Sequence, residues 1–205
     1  MTEEKAVVYV VDDDPSVRRA LGRLLRSAGY NTLTFAGASE FLDFNCPDTP
    51  GCLILDIKMP RLSGLELQDR LAAKGVFFPI IFITGHGTVP TSVKAFKAGA
   101  MDFLQKPFKD REFLDAVSRG IEKHRHLRRE QNEKKTLRTR LDTLTHRERE
   151  IFSLVVSGML NKQIAFDLGI SEKTVKVHRA RVMDKMGAQS FADLVRFAEK
   201  LGIRF

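Results

Sequence analysis

The sequence predicts an α/β protein: a five-stranded, doubly wound parallel sheet, then a long helical linker, then a small all-α domain of four helices. Three observations carry this. Short apolar runs at residues 6–11, 52–56, 77–84 and 101–106 alternate with helix-like segments over the first 120 residues. Residues 122–140 are dominated by charge. From Leu141 onward, cap residues and glycines bracket four short amphipathic stretches. Alternating strands and helices bury a parallel sheet between two helical layers.

The elements follow in order. AVVYVV is a strand, and Asp14-Pro15 opens a helix with proline at its first position. Val17, Leu21, Leu24, Leu25 and Ala28 make that helix's apolar stripe, and Gly29 closes it. NTLTF (31–35) is the second strand, Ser39 to Phe44 a short helix, and CLILD (52–56) a buried strand. Gly64 to Lys74 is a helix, IIFIT (80–84) a strand, and Thr88 to Ala98 a helix ended by Gly99. DFLQK (102–106) is the fifth strand, and Asp110 opens the last helix of this half. In residues 122–140, eleven of nineteen side chains are charged and Gly and Pro are absent, so the helix is expected to continue as a polar spacer. Thr145-x-x-Glu148 is a capping box ahead of IFSLVV, ended by Gly158. Asn161 is expected to cap KQIAFDL, Ser171 to cap EKTVKVHRARVMDKM, and Ser190 to cap FADLVRFAEKL. The expected division is 1–120, 121–140 and 141–205.

Charge separates the halves. Residues 1–120 carry 15 Lys+Arg and 15 Asp+Glu, whereas residues 121–205 carry 19 and 11. A basic excess confined to one half suggests a polyanionic partner, nucleic acid first. The acidic, polar start is unlike a signal peptide, no apolar stretch reaches spanning length, and Cys46 and Cys52 show no metal or disulfide spacing. These features predict a cytoplasmic chain with no membrane partner. His124, His126 and His146 have no metal partners in view and read as solvated, whereas His178 reads as a core histidine.

Five residues follow apolar strands: Asp12, Asp13, Asp56, Thr84 and Lys106. In an open α/β sheet they gather at the carboxyl edge, where such sheets bind ligands. Carboxylates clustered there need a cation, and a lysine and a hydroxyl beside them suit a phosphoryl group. Helix capping accounts for one or two of Asp12, Asp13 and Asp14, but not for Asp56, which ends a different strand. Residues Ala6 to Ile121 resemble the receiver domain of bacterial two-component response regulators, a flavodoxin- or CheY-like fold. The resemblance implies that Asp56 accepts a phosphoryl group from a sensor histidine kinase. It implies that Asp12, Asp13, Asp56 and the backbone carbonyl of Lys58 hold Mg²⁺ or Mn²⁺. It makes Thr84 and Lys106 phosphoryl contacts, Phe103 the aromatic switch, and Lys106-Pro107 a cis peptide. It also implies that the face around 88–120 dimerises on phosphorylation, and that catalysis is limited to self-phosphotransfer and autodephosphorylation. Asp12-x-Asp14-x-Ser16 resembles the first motif of haloacid-dehalogenase phosphatases as well, with Asp12 as nucleophile and Asp14 as acid/base, although KPFKDREF offers no further acidic loop.

In the basic half, NKQIAFDL–GIS–EKTVKVH reads as helix, tight turn, helix, the arrangement that lays its second helix in the DNA major groove. Val175, Val182 and Met186 share the packed face. Lys176 and Val177 are expected at base edges; Lys173, Thr174, Arg181 and Lys185 at phosphates; and Ala180 at most against a thymine methyl. Residues Leu141 to Leu201 resemble the LuxR-type helix-turn-helix. Together with the receiver, this is the FixJ–NarL class, and the TGHG stretch (84–87) and the charged linker point to its FixJ branch. The resemblance implies a dimeric transcriptional activator of promoter DNA, working with RNA polymerase. A regulator that binds DNA regardless of phosphorylation is the alternative.

Overall fold

The structure, a computed structural model, describes residues 5–85 and 89–203. The chain divides into two compact units, Met1–Arg128 and Arg129–Phe205.

In the first unit, β1 (Val7–Val11), β2 (Asn31–Phe35), β3 (Gly51–Asp56), β4 (Ile80–Thr84) and β5 (Asp102–Gln105) form one parallel sheet in the order β2-β1-β3-β4-β5. The side chains alternate between two cores. Tyr9, Val11, Leu53, Leu55 and Phe82 pack one face against Phe41 of α2 (Ala38–Asp43), Leu67 and Leu71 of α3 (Gly64–Ala73), and Ala95 of α4 (Val89–Lys97). Val8, Val10, Cys52, Ile54, Ile81 and Ile83 pack the other against Leu21 and Leu25 of α1 (Pro15–Ser27). Phe113, Ala116, Val117 and Ile121 of α5 (Asp110–Asp142) complete that second core. A sheet buried on both faces explains why the strands read as apolar runs. Asp14 caps α1 by accepting from the Ser16 N–H at 2.7 Å. Two details of the α1 stripe differ from expectation: Ala28 falls past the helix end and is exposed, and Gly22 is buried. Thr88, His86 and Gly87 lie outside the described residues.

In the second unit, α6 (His146–Val156), α7 (Asn161–Asp167), α8 (Glu172–Met186) and α9 (Phe191–Leu201) enclose one core. Leu137, Leu141 and Leu144, at and after the end of α5, contribute to it. Helix α5 therefore runs to Asp142, two residues past the charged segment, because its last leucines have an apolar partner. The expected cap of α7 moves by one residue. Asn161 is the first helical residue, Leu160 holds the cap position, and Gln163 Oε1 accepts the Leu160 N–H at 2.8 Å. The Asn161 carboxamide is engaged elsewhere, accepting from Arg179 at 2.9 Å.

Candidate functional site

Asp12, Asp56, Thr84 and Lys106 stand at the carboxyl ends of β1, β3, β4 and β5, in adjacent columns of the sheet. The crevice between β1 and β3, where chain direction through the sheet reverses, is the switch point at which such sheets bind ligands. Asp12 and Thr84 are each 1 % exposed and Asp56 is 6 % exposed. The Lys106 Nζ bridges the two carboxylates, 2.7 Å from Asp12 Oδ2 and 2.8 Å from Asp56 Oδ1. Each carboxylate's other oxygen takes a backbone N–H: Asp14 on Asp12 at 2.9 Å, Lys58 on Asp56 at 2.7 Å. Burial raises the Asp56 carboxyl above its ordinary pKa, Lys106 opposes this, and the charge of Asp12 adds to it. Burial would lower the Lys106 ammonium, but its hydrogen bonds to Asp12 and Asp56 outweigh that and hold it above its usual value.

The loop after β3 is built tightly around Asp56. Met59 and Leu62 are buried, and the Gly64 N–H donates to Ile57 O at 3.0 Å. A Cβ on Gly64 would lie 2.3 Å from the Asp56 carbonyl oxygen, so only glycine fits there. Lys106-Pro107 is cis, and the Lys106 N–H donates to Thr84 O at 2.8 Å. Phe103 pairs in register with Phe82 and is partly buried on the α3–α4 side of the sheet. Asp13 is exposed beside Asp12. Among the described residues, no three carboxylate, thiolate or imidazole groups form a preformed metal cluster.

In the second unit, Lys173, Lys176, Val177, Ala180 and Arg181 are exposed along α8, opposite the buried Val175, Val182 and Met186. The Thr174 hydroxyl pairs with Ser171 Oγ at 2.8 Å. Lys185, expected at a phosphate, is half-buried: its Nζ donates to the buried Glu148 at 2.6 Å and to Thr143 O at 3.2 Å. His178 is half-buried, with its Nδ1 buried and without a hydrogen-bond partner among the described residues.

The family comparisons agree with both units. Residues 8–118 match the model for the response regulator receiver domain, and residues 142–198 match that for bacterial regulatory proteins of the luxR family. The chain belongs to the two-component response regulators, in the FixJ–NarL–LuxR class. This response regulator is 49 % identical over 199 residues to nodulation protein W of Bradyrhizobium diazoefficiens, covering 97 % of this chain and 88 % of that one. It is 42 % identical over 200 residues to the transcriptional regulatory protein FixJ of Azorhizobium caulinodans, covering 98 % and 95 %. Among solved structures it is similar to the response regulator StyR, with a TM-score of 0.86 and 47 % identity over 96 % of this chain and 99 % of that one. The first unit is thus a CheY-like receiver and the second a DNA-binding domain, and the response regulator acts in transcription regulation. Among the described residues, no helix is long and apolar enough to cross a membrane.

Sequence reasoning brought Asp12, Asp56 and Lys106 together correctly, with Thr84 at the next strand end, but it missed other residues of the response regulator. His124, expected as solvated, is 8 % exposed, and its Nδ1 accepts the Gly51 N–H at 2.8 Å. Arg179 ties Asn161 of α7 to α8, with its guanidinium 5.8 Å from the Phe191 ring centroid. Arg140 reaches the Met186 carbonyl at 2.9 Å, beyond the end of α8's own hydrogen bonding. None leaves a local sequence signal, because each partner is distant in the chain.

Proposed function

We propose that this response regulator is switched by phosphorylation of Asp56 by a sensor histidine kinase, and that residues 141–205 then bind promoter DNA. The receiver would span 1–120 and the linker 121–140. The observation that carries the proposal is the Lys106 ammonium held between Asp12 and Asp56 at the sheet's switch point. A carboxylate oxygen of Asp56 attacks the phosphorus of a phosphohistidine or a small acyl phosphate. The bond from phosphorus to the leaving group breaks, and an acyl phosphate on Asp56 results. Lys106 and the Thr84 hydroxyl donate to the phosphoryl oxygens, and Thr84's movement admits Phe103. The oxygen-only donor set of Asp12, Asp13, Asp56 and the Lys58 carbonyl suits Mg²⁺ or Mn²⁺. That cation would neutralise charge on the transferring phosphoryl group. Asp14, engaged in capping α1, is a poor acid/base for a phosphatase.

Phosphorylation would favour a homodimer through the α4–β5–α5 face, and two DNA-binding units on a two-part site would recruit RNA polymerase as an activator. A hundredfold switch asks for about 2.7 kcal/mol of differential stabilisation. The test is a phosphate-affinity gel after incubation with acetyl phosphate and Mg²⁺, run beside size-exclusion chromatography. Wild type should shift and dimerise, and Asp56→Ala should do neither. A shift that survives Asp56→Ala would place the acceptor elsewhere, and one lost only in Asp12→Ala would favour the phosphatase.

A further inference from the structure

Helix α5 carries a stripe at Gly120, His124 and Arg128, spaced four residues apart and so on one helix face. This stripe runs backward along the start of β3. A Cβ on Gly120 would lie 2.7 Å from Cys52 Sγ, so the helix backbone rides directly on the strand. His124 takes the Gly51 N–H on its Nδ1 at 2.8 Å and lies 5.0 Å from the Phe78 ring, centroid to centroid. Arg128 donates to the Asp48 carbonyl at 2.5 Å and to its carboxylate at 2.9 Å. Residues 129–136, immediately after, are all exposed. The stripe therefore ends at the last half-buried position of α5 before that exposed run.

The donor in the central bond is a backbone N–H, which fixes the imidazole as acceptor. His124 must be neutral, with its proton on Nε2. We infer that Gly120, His124 and Arg128 form a proton-sensitive latch that holds α5 to the Asp48–Cys52 segment while His124 is neutral and lets it go when His124 is protonated. Protonation sets two N–H donors against each other at a buried position. The charged groups facing the ring act in the same balance. The Arg128 guanidinium opposes a second cation on the same helix face. The Asp48 carboxylate favours one but is 94 % exposed and already engaged by Arg128. Phe78 contributes no charge, and the Tyr9 phenol behind it stays neutral, its pKa pushed up to about 12 by burial. Burial first, and Arg128 second, hold the His124 pKa below its ordinary value. The latch is thus fully present above about pH 6.5 and weakens as pH falls from there toward the folded-state pKa. Nothing in this device depends on phosphorylation, although β3 also carries Asp56 at its far end.

The test is amide hydrogen exchange by mass spectrometry on the full chain at pH 7.5 and 5.5, with rates corrected for intrinsic pH dependence. In wild type, opening of peptides within 121–130 should rise toward roughly tenfold at pH 5.5, the limit set by an unfolded histidine pKa near 6.5. Peptides from α1 should not change. His124→Asn keeps an acceptor for Gly51 but cannot titrate, and should abolish the response. If that variant exchanges fast at both pH values, the latch needs the imidazole ring. Arg128→Gln then decides, and must raise exchange in 121–130 at pH 7.5. A wild-type response that is absent, or that persists in His124→Asn, overturns the latch, as does no effect of Arg128→Gln.

Discussion

Glu148 stays charged in a buried place because Lys185 and the Thr145 N–H both donate to it, at 2.6 and 2.8 Å. The Lys185 bond is the main cause that lowers its pKa from 4.5 to about 2. A depressed carboxyl pKa contributes stability that is complete above about pH 4.5 and is lost as pH falls toward 2. Lys185→Met leaves the carboxylate buried without its cation. That should cost about 1–3 kcal/mol at pH 7 and flatten the acid limb between pH 4.5 and 2. Urea unfolding of both chains at pH 7 and pH 3 measures this, and equal midpoints at pH 7 would sink it. At the proposed phosphoacceptor site, Gly64→Ala drives a methyl into the Asp56 carbonyl. The expected result is about 1–3 kcal/mol of destabilisation and slower labelling by acetyl phosphate. Normal labelling and stability would mean that the loop yields freely. Asp12, Asp56, Thr84 and Lys106 were legible in the sequence because each ends an apolar run. Gly64 and Lys185 were not, since the need for a missing Cβ, or for a carboxylate 37 positions away, is created only by the fold.

Among the elements, legibility follows how local the cause is. Strands buried on both faces announce themselves as apolar runs, and α8 does so through its spacing and its Ser171 cap, whose Oγ accepts the Thr174 N–H at 3.1 Å. The start of α7 slipped by one residue because Arg179 claims the Asn161 carboxamide that would otherwise cap it. The middle of α5 read as wholly solvated because a histidine and an arginine in a charged run give no sign of a backbone N–H and a carbonyl waiting for them. On α8 itself the outward residues fall into two kinds. Lys176 and Val177 sit near the helix start, where a recognition helix meets base edges, while Lys173 and Arg181 flank them. Lys176→Ala should therefore weaken binding to the specific site by about 1–3 kcal/mol and to random duplex by much less. Fluorescence anisotropy on both duplexes distinguishes these. Equal losses would make Lys176 a phosphate contact only.

At the scale of the whole molecule, charge and core are both partitioned. Each unit encloses its own apolar clusters. The entire excess of +8 belongs to residues 121–205, leaving residues 1–120 neutral. Affinity for DNA that arises from released counterions depends on how many phosphates are neutralised locally, not on the net charge of the chain. The double substitution Lys173→Gln, Arg181→Gln removes two exposed cations from α8. It should reduce the slope of log affinity against log salt on a random duplex by about 1.8 per bound subunit, at roughly 0.9 per phosphate contact. Arg19→Gln, Arg23→Gln removes two exposed cations from α1 in the neutral half, away from the proposed dimer face, and should leave the slope unchanged. The two variants carry the same net charge, so long-range attraction by the whole chain predicts equal effects. Only a binding surface confined to the second unit predicts that one variant has a shallower slope and the other keeps it.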